Sequence, residues 1–393
     1  MTRGWVTIPA LRKEGADKMQ LLTQAWRFCR AKLSALDPIL ATCSALLSVI
    51  SLMVIIGGAS TFGKRVVLIQ IAATLVGWVA MIVLANLDYR FLAEKLSPVF
   101  FGVSVLLLIV LLIDGTGAGT NKSWLYFDFL PFGIQPSEFI KTALALTFAY
   151  HLSRVKESIN RPLVMLGLAA HAGSIIVLIL MTGDLGVAVV FAGFILLMLF
   201  CAGLNLWYFF CGGALLVIVA PILWSQLATY QKQRILVGFR PQLDPMGYGY
   251  QPLLSRDAIL SGGFLGKGIT GGEIYEELYA SHTDFVYATV CEKLGFVGGF
   301  VVLAALLLLI IRIILIAMRS ERGLGSYLCI GMAGCFILQI TINIGMCLAV
   351  LPVVGITLPF VSYGGSSVLG AYLMIGMVHS VCAHRNRSRG IWS

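Results

Sequence analysis

Charged residues are scarce in this chain of 393 residues, and that scarcity is the first constraint on its class. Only 12% of the residues are Asp, Glu, Lys or Arg, whereas 59% are hydrophobic. Soluble globular domains carry about 25% charged residues and a smaller apolar share. The composition therefore excludes an ordinary soluble domain and predicts a polytopic membrane protein.

Cysteine motifs and charge clusters are also lacking. The nine cysteines are scattered singly, and none has the CxxC spacing of a zinc or disulfide framework. The net charge of +10 is spread between apolar runs. Nucleic acid is therefore not an expected partner, whereas anionic membrane lipids are. The first ~37 residues show no cleavable signal pattern, and we expect them to form a cytoplasmic anchor.

Long apolar runs are what the sequence has in abundance. A bilayer core requires about 20 apolar residues per helix. On this basis the sequence predicts an all-α fold with about ten transmembrane helices. The fourth span is the least apolar, because Glu138, Lys141 and Tyr150 interrupt it. The predicted spans are 39–58, 66–86, 97–113, 136–152, 162–181, 185–202, 206–226, 286–316, 325–350 and 361–383.

The distribution of Lys and Arg predicts the topology. Of the 28 Lys and Arg residues, 18 fall in segments on one side of the predicted spans. Because cation-rich short segments remain in the cytoplasm, we expect both termini and the 153–161 loop inside. The long 227–283 loop, between the seventh and eighth spans, is then extracytoplasmic. The predicted domains are a cytoplasmic segment 1–37, a transmembrane domain 38–383 and a basic cytoplasmic tail 384–393.

Six motifs lie at or near the predicted outer ends of the spans. They are FGIQPSEFIK (132–141), TGDLG (182–186), DPMGYGYQ (244–251), LSGGFLGKG (260–268), HTDFVYATVCEKLGFVGG (282–299) and LPVVGITLPFVSYGGSS (351–367). Together they resemble the SEDS family of shape, elongation, division and sporulation proteins, which includes RodA, FtsW and SpoVE. The resemblance extends over nearly the whole membrane portion, and LPVVGI leans toward the RodA-like members.

The resemblance implies a glycosyltransferase of the bacterial cytoplasmic membrane that polymerises lipid II into peptidoglycan. Its substrates would be lipid II and undecaprenyl-diphosphate-linked glycan, and its partner a class B penicillin-binding protein with transpeptidase activity. The family's catalytic aspartate falls at Asp284, and residues that line its substrate cavity fall at Trp124, Glu138 and Lys141. No cofactor is firmly implied, and a divalent cation, Mg²⁺ or Mn²⁺, is left open.

Asp284 also stands out without the resemblance. Sugar transfer from a lipid diphosphate needs a base for the attacking hydroxyl and positive groups for the leaving diphosphate. A carboxylate beside hydrocarbon has a raised pKa, which suits a base near neutral pH. The alternative is that Asp284, with Thr283, starts the following helix. His282 either contacts the substrate or is structural, and we expect Glu292 to pair with a buried cation.

Other polar residues admit two interpretations each. Glu138 and Lys141 are three residues apart, so they can form an ion pair at a helix start instead of contacting substrate. Asp184 in TGDLG is either a substrate contact or a turn cap. The SGGFLGKG stretch lacks the preceding strand and the Ser or Thr of a phosphate-binding loop, so no nucleotide site is predicted. Further candidate substrate contacts are the cations Lys122, Arg234 and Lys267 and the hydroxyls of Thr283, Ser362 and Ser366.

Two other functions are consistent with parts of this pattern. A flippase for lipid-linked precursors would also use discontinuous helices with internal ions. Against it, the polar groups concentrate on the outer side, and no repeated pair of broken helices is evident. A scaffold that recruits the transpeptidase without catalysing a reaction is the third possibility, and the presence of Asp284 argues against it.

The topology can be tested by cysteine accessibility in a background without the nine native cysteines. The Tyr250→Cys variant should react with a membrane-impermeant reagent on intact cells, because the long loop is predicted to be external. Glu157→Cys, in the 153–161 loop, is the matched control and should react only after permeabilisation. Reaction of Tyr250→Cys only after permeabilisation would contradict the predicted topology.

Overall fold

The described part of the chain is a bundle of long helices. This computed structural model describes residues 33–384, apart from 118–120, 128–132, 227–228 and 321–322. The predicted terminal segments 1–37 and 384–393 therefore lie almost wholly outside the described residues. The long helices are α1 (Pro38–Gly57), α2 (Lys64–Asn86), α3 (Tyr89–Asp114), α4 (Pro136–Val155), α5 (Pro162–Met181), α6 (Leu185–Cys201), α7 (Leu206–Gln226), α8 (Val286–Arg319), α9 (Leu324–Cys347) and α10 (Gly365–His384).

Each long helix overlaps one of the predicted spans, and the all-α fold class is confirmed. Among the described residues, eight helices are long and apolar enough to cross a membrane. The two others are α4, which carries Glu138 and Lys141, and α6, which has 17 residues. The described segments contain two isolated β-bridges, Thr116–Trp124 and Leu125–Ile134, and no strand. The number of membrane crossings stays a prediction.

The core of the bundle lies around α9 and α10, in which most side chains are buried. Helix α10 packs along α2, and α9 packs against α6 and α8. Close approach between membrane helices depends on small residues. At Gly77 of α2, an added Cβ atom would lie 2.3 Å from the Tyr372 ring of α10. By contrast, α7 has no buried residue among its described side chains and packs little against the other described helices.

The segment from 229 to 283 folds back on the bundle. Its middle helix packs against α8 and α9, and Ser255 Oγ donates to the Cys347 carbonyl at the end of α9 over 2.9 Å. We call the end of the bundle that carries this segment the loop face; the N-terminal ends of α4, α6, α8 and α10 lie there. The helices of the segment are Thr229–Phe239, Tyr250–Ser261 and Ile274–Glu277.

Helix α8 is broken at Gly295, whose φ of 67° and ψ of −167° are not helical. Backbone groups that lose their helical partners at membrane depth must find others. Here the glycine-rich segment 262–268 supplies both donors and acceptors. The four hydrogen bonds are Lys267 N–H to Glu292 O (3.0 Å), Gly268 N–H to Lys293 O (3.0 Å), Phe296 N–H to Gly263 O (2.8 Å) and Val297 N–H to Phe264 O (3.2 Å).

The glycines of SGGFLGKG permit this close contact between the loop and α8. A Cβ atom at Gly262 would lie 2.0 Å from the Cys291 carbonyl oxygen, and one at Gly266 would lie 2.2 Å from the Lys293 carbonyl oxygen. Gly266 also has a φ of +83°, which side chains disfavour. The spacing of these glycines therefore serves backbone packing against the broken helix.

Glu292, just before the break, is fully buried and accepts three backbone hydrogen bonds. Its Oε1 accepts from the N–H groups of Glu273 and Ile274, both at 3.0 Å, and its Oε2 accepts from that of Tyr275 at 2.8 Å. The Lys267 ammonium lies 3.4 Å from Oε1. The prediction that Glu292 pairs with a cation is confirmed, although Lys267 is partly exposed rather than buried.

Lys293 is buried beside Glu292 and holds the preceding part of the loop. Its ammonium donates to the carbonyl oxygens of Ile269 and Gly271 at 3.0 and 3.2 Å. It also lies 3.8 Å from the centre of the Tyr275 ring, which is within the range of a cation–π contact. Glu292 and Lys293, which are adjacent and of opposite charge, therefore fix the two halves of the 269–275 segment to α8: Glu292 binds 273–275, and Lys293 binds 269 and 271.

The Glu292→Gln substitution should destabilise the loop face. An amide has a single acceptor oxygen, so at least one buried N–H group would lose its partner, at a cost of roughly 1–3 kcal/mol. We expect a lower melting temperature for the purified protein in detergent. Lys267→Gln is the control, because a partly exposed ion pair contributes little to stability. An unchanged melting temperature for Glu292→Gln would contradict the role assigned to this carboxylate.

Candidate active site

Asp284 lies in a turn directly before α8, and the backbone of this turn is fixed from two sides. From α9, the Asn343 side chain donates to the carbonyl oxygens of Asp284 and Ile356 at 2.8 and 2.7 Å. From the SYGGSS segment, Ser362 Oγ donates to the Thr283 carbonyl at 2.6 Å. These bonds engage backbone atoms of the turn, so they position the Asp284 side chain without occupying its carboxylate.

The alternative role of Asp284 as a helix cap is not what the geometry shows. Helix α8 begins at Val286 with Phe285 as its N-cap residue, and no side chain caps it. Thr283 Oγ1 donates instead to the Ala280 carbonyl within the turn, over 3.2 Å. Ala280 has a φ of +57°, which is uncommon for a residue other than glycine. The turn is therefore held in an unusual conformation by tertiary contacts.

The Asp284 carboxylate faces Gly355, where an added Cβ atom would lie 3.6 Å from Oδ2. This distance is an ordinary van der Waals contact, but Gly355 has a φ of +72°, which disfavours a side chain there. Burial raises the pKa of Asp284 to about 6; the Arg234 guanidinium opposes this shift, and the Asp184 carboxylate adds to it. A carboxylate with this pKa can act as a general base near neutral pH.

Asp184 caps the start of α6. Its Oδ1 accepts from the Val187 N–H at 3.0 Å, and its Oδ2 accepts from Ser123 Oγ at 2.8 Å. Burial raises the pKa of Asp184, whereas these two hydrogen bonds and the charges of Lys141 and Arg234 oppose the shift. The turn-cap interpretation of Asp184 therefore describes the observed contacts, and the carboxylate also belongs to the electrostatic surroundings of the site.

Glu138 and Lys141 form a buried ion pair in the first turns of α4. The Lys141 ammonium donates to both carboxylate oxygens of Glu138 at 2.8 Å. The two side chains are only 5% and 3% exposed. Pro136 begins the helix, and Glu138 lies in the first turn, where the helix dipole favours negative charge. The predicted ion pair is confirmed.

A narrow cavity adjoins this ion pair and has room for about one water molecule. Gly355 forms part of its wall and also faces Asp284, so this glycine adjoins both the cavity and the Asp284 carboxylate. One part of the wall is polar and the other apolar. The lining residues are Gln135, Glu138, Lys141, Val187, Val190, Gln339, Gly355, Ile356 and Thr357.

Lys122 lies in the irregular segment between α3 and α4, and its contacts lead away from Asp284. Its ammonium donates to the carbonyl oxygens of Leu112 and Ile113 at the end of α3, over 2.6 and 3.4 Å. Cations are favourable at helix C-termini. Its backbone N–H donates to the Thr182 carbonyl at 2.8 Å, which ties this segment to TGDLG. Trp124 lies two residues further along the same segment, and its contact with substrate stays a prediction.

Of the predicted outer cations, Arg234 is the one whose charge reaches the carboxylates. It is exposed, on the helix that follows α7, and it lowers the pKa values of both Asp184 and Asp284. Lys267 instead pairs with Glu292 on α8. The structure therefore brings Arg234, and neither Lys122 nor Lys267, into the electrostatic surroundings of Asp284.

His282 and the serines of SYGGSS contribute to the architecture around the turn. The His282 ring lies between Phe62 and Tyr363, with centroid distances of 4.9 and 5.2 Å. Burial lowers the pKa of His282, which favours the neutral imidazole. Ser366 Oγ accepts from the Gln135 N–H at 3.1 Å and so joins the starts of α4 and α10. Direct substrate contacts of these residues, and of Ser362, stay predictions.

Three buried amide side chains near the site were not singled out from the sequence. Asn343 holds the Asp284 turn, and Gln339 lines the cavity. Gln70 of α2 accepts from the Gly364 N–H at 3.3 Å and so supports SYGGSS. Gln70 is an isolated amide within an apolar run, and Gln339 and Asn343 lie one helical turn apart in another. Because polar groups are costly at membrane depth, amides within apolar runs are a sequence signal for functional sites.

No group of three or more His, Cys, Asp or Glu side chains with the proximity of a metal site occurs among the residues that the structure describes. The carboxylates that could attract a divalent cation near Asp284 are Asp184 and Glu138, and both already have partners. The divalent cation that the sequence left open therefore stays a prediction.

The chain belongs to the FtsW/RodA/SpoVE family of cell cycle proteins, whose model matches residues 34–387. The peptidoglycan glycosyltransferase MrdB of Escherichia coli K12 is 34% identical over 329 residues, which cover 80% of this chain and 85% of the relative. Stage V sporulation protein E of Bacillus subtilis is 31% identical over 334 residues, covering 81% and 86%. The probable peptidoglycan glycosyltransferase FtsW of Trichlorobacter lovleyi is 30% identical over 322 residues, covering 80% and 82%.

Solved structures have the same fold. A chain from work on the structural coordination of polymerization and crosslinking by a peptidoglycan synthase complex matches with a TM-score of 0.77 and 28% identity, covering 89% of this chain and 98% of that chain. The rod shape determining protein RodA of Thermus thermophilus matches with a TM-score of 0.67 over the same shares, at 24% identity, and supports the fold alone. The family resemblance that the sequence motifs indicated is confirmed.

The Lys141→Ala substitution should lower the yield of folded protein as well as activity. It would leave the Glu138 carboxylate buried and uncompensated, at a cost of roughly 3–5 kcal/mol. Glu138→Gln should be milder, because its amide oxygen still accepts from Lys141. The measurements are the monomer fraction in gel filtration and the melting temperature. The Glu138→Gln, Lys141→Met double variant is the control and should recover much of the yield. Normal yield and full activity in Lys141→Ala would show that the ion pair is needed neither for folding nor for activity.

Proposed function

We propose that this chain is a peptidoglycan glycosyltransferase that polymerises lipid II, with Asp284 as its general base. The observation that carries the proposal is the placement of Asp284, a carboxylate with a pKa of about 6 beside a partly polar cavity at the loop face. The reaction class is supported by sequence relatives that are named peptidoglycan glycosyltransferases.

In the proposed reaction, Asp284 accepts the proton of the attacking hydroxyl on the acceptor sugar. The hydroxyl oxygen forms a bond to the anomeric carbon of the donor sugar, and the bond from that carbon to the diphosphate oxygen breaks. The lipid diphosphate leaves with the bonding electrons, and attack from the opposite face inverts the anomeric centre. Asp284 then releases its proton to solvent before the next cycle.

Arg234 is the cation best placed to stabilise the departing diphosphate. Its charge reaches the Asp284 carboxylate, and its side chain is exposed rather than tied into the bundle. Negative charge develops on the leaving group in the transition state, so positive groups positioned beside the leaving group stabilise that state. Lys141 is already neutralised by Glu138, so it is better suited to orienting a polar group of the substrate than to binding a dianion.

The chain is a multi-pass bacterial membrane protein. We place it in the cytoplasmic membrane with both termini inside, so that the loop face meets lipid II on the outer side. A class B penicillin-binding protein would then crosslink the glycan strands as they leave this face. The similarity to a chain of a solved peptidoglycan synthase complex that couples polymerization and crosslinking supports this partnership.

The Asp284→Asn substitution should remove most polymerisation while the protein still folds. The side chain keeps its size but cannot accept a proton, so the rate should fall by roughly two to four orders of magnitude. The measurement is glycan chain formation from lipid II by the purified protein, with and without its partner transpeptidase. Variants are compared at matched folded concentration, alongside their melting temperatures.

The pH dependence of kcat/KM provides a second test of the role of Asp284. For the unchanged protein, kcat/KM should fall as the pH is lowered through about 6, because protonation of Asp284 removes the base. The residual rate of Asp284→Asn should lack that fall. Asp257→Asn, which alters an exposed carboxylate on the loop face, is the control and should keep both rate and pH profile. Near-normal glycan chains from Asp284→Asn would refute the assignment.

A further inference from the structure

The turn that carries Asp284 has no direct backbone connection to the stretch 352–358 that faces it. Among the described residues, no backbone hydrogen bond joins 280–285 to 352–358. The stretch is neither helix nor strand, so no regular pairing fixes its distance from the turn. Gly355 of this stretch is exposed and lies opposite the Asp284 carboxylate. The separation of the two segments is therefore set by the side chains that bridge them.

Asn343 of α9 provides the first bridge. It is fully buried, and its Nδ2 atom donates to the Asp284 carbonyl at 2.8 Å and to the Ile356 carbonyl at 2.7 Å. A side-chain amide nitrogen has two N–H donors, and each is used here on a different segment. Ile356 directly follows Gly355 in the chain. One side chain therefore holds both the turn and the residue next to the glycine that faces Asp284.

Ser362 of the SYGGSS segment provides the second bridge, and it is also fully buried. Its Oγ atom donates to the Thr283 carbonyl at 2.6 Å and accepts from the Leu358 N–H at 2.8 Å. The two bridges thus engage consecutive carbonyl groups of the turn and two nearby residues of the facing stretch. Two such contacts fix an orientation as well as a distance, whereas a single contact would let the turn pivot.

Bridging by side chains has a geometric consequence that direct backbone pairing would not have. Paired backbones lie about 4.8 Å apart, which leaves little room between them for a side chain and a substrate group. A bridging amide or hydroxyl holds the backbones further apart, and neither bridge uses the Asp284 carboxylate. A buried amide is costly in an apolar membrane helix such as α9. A role in the site explains this arrangement better than stability does.

We propose that Asn343 and Ser362 are positioning residues that hold the Asp284 carboxylate opposite Gly355, where the acceptor hydroxyl has to meet it. Neither side chain touches the reacting atoms, because both act through the backbone of the turn. The Ser362 hydroxyl already donates its one proton, so it suits this role better than donation to a substrate. This inference rests on the proposed function, because it concerns the base of the same reaction.

The test uses the purified full-length protein with Asn343→Leu, which keeps the approximate size of the side chain but has no N–H donor, and with Ser362→Ala. At matched folded concentration, kcat for glycan formation from lipid II should fall roughly 10- to 100-fold in each variant. KM should stay within about threefold, because a misplaced base slows the chemical step more than it weakens binding.

The pH profile separates positioning from a purely structural role. Burial raises the pKa of Asp284 to about 6, the Arg234 guanidinium opposes this shift and the Asp184 carboxylate adds to it. A loosened turn admits water to the carboxylate, so its pKa should fall towards the ordinary value. The decline of kcat/KM on acidification should therefore move to lower pH in both variants.

Ser380→Ala is the matched control, because it also removes two buried hydrogen bonds, at the other end of α10. Ser380 Oγ accepts from the Tyr89 N–H at 3.0 Å and donates to the Leu87 carbonyl. This variant should lower the melting temperature but keep kcat and the pH profile of the folded protein. Loss of stability alone is thereby distinguished from displacement of the base.

Asn343→Gln is a second variant that tests the bridge if Asn343→Leu does not fold. It keeps both N–H donors on an arm that is longer by one methylene, so the turn should be displaced although both carbonyl groups can still be satisfied. We expect kcat to fall by roughly threefold or more. An unchanged kcat and pH profile in folded Asn343→Gln would show that the amide only satisfies two carbonyl groups, and would overturn the positioning role.

Infrared difference spectra recorded during a pH titration without lipid II measure the protonation midpoint of Asp284 independently of turnover. The relevant carboxyl band is the one that is lost in Asp284→Asn. The midpoint should move to lower pH in Asn343→Leu and Ser362→Ala, and an unchanged midpoint together with unchanged kcat would overturn the proposal. Absence of polymer from the unchanged protein would contradict the proposed function instead, and the infrared midpoints would still decide whether the two side chains position Asp284.

Discussion

The exchange of backbone hydrogen bonds at Gly295 is the interaction on which the loop face depends. A helix that breaks at membrane depth exposes donors and acceptors that hydrocarbon cannot satisfy. Segment 262–268 both donates hydrogen bonds to the α8 backbone and accepts hydrogen bonds from it, and its glycines allow the two backbones to approach closely. Glu292 and Lys293 then fix the following residues of the loop to the same helix. The turn that carries Asp284 is thereby held at both ends, which is how an irregular segment can position a reacting group.

Charge around the site is balanced in small local groups. Lys141 neutralises Glu138, Asp184 is saturated by hydrogen bonds at a helix start, and Asp284 stands beside a glycine with its pKa raised by burial. Each carboxylate therefore has a distinct environment although all three lie near one another. Carboxylates whose environments differ in this way can divide into structural and reactive roles. Burial raises the pKa of Asp284 to about 6, which suits the reactive role proposed for it.

Much of the architecture could be predicted because hydropathy reports directly on burial in lipid. A long helix overlaps each of the ten predicted spans, and the i,i+3 spacing of Glu138 and Lys141 was enough to predict their contact. Long-range partners could not be predicted in this way. The sequence does not reveal that Lys122 caps α3 or that Lys267 turns to Glu292, because tertiary packing decides which acceptor a flexible cation reaches. Gln339 was missed because a single amide barely changes the hydropathy of its helix.

The polarity of α4 has a consequence for how the chain enters the membrane. This helix is not among the described helices that are apolar enough to cross a bilayer by their own composition, and it packs against α3 as well as against α9 and α10, which follow much later in the chain. Burial of α4 therefore depends in part on helices that are synthesised after it. Within α4, Lys141 balances the charge of Glu138 without a contact from any other helix. The ion pair thus gives α4 an internal counterion that does not require the later helices.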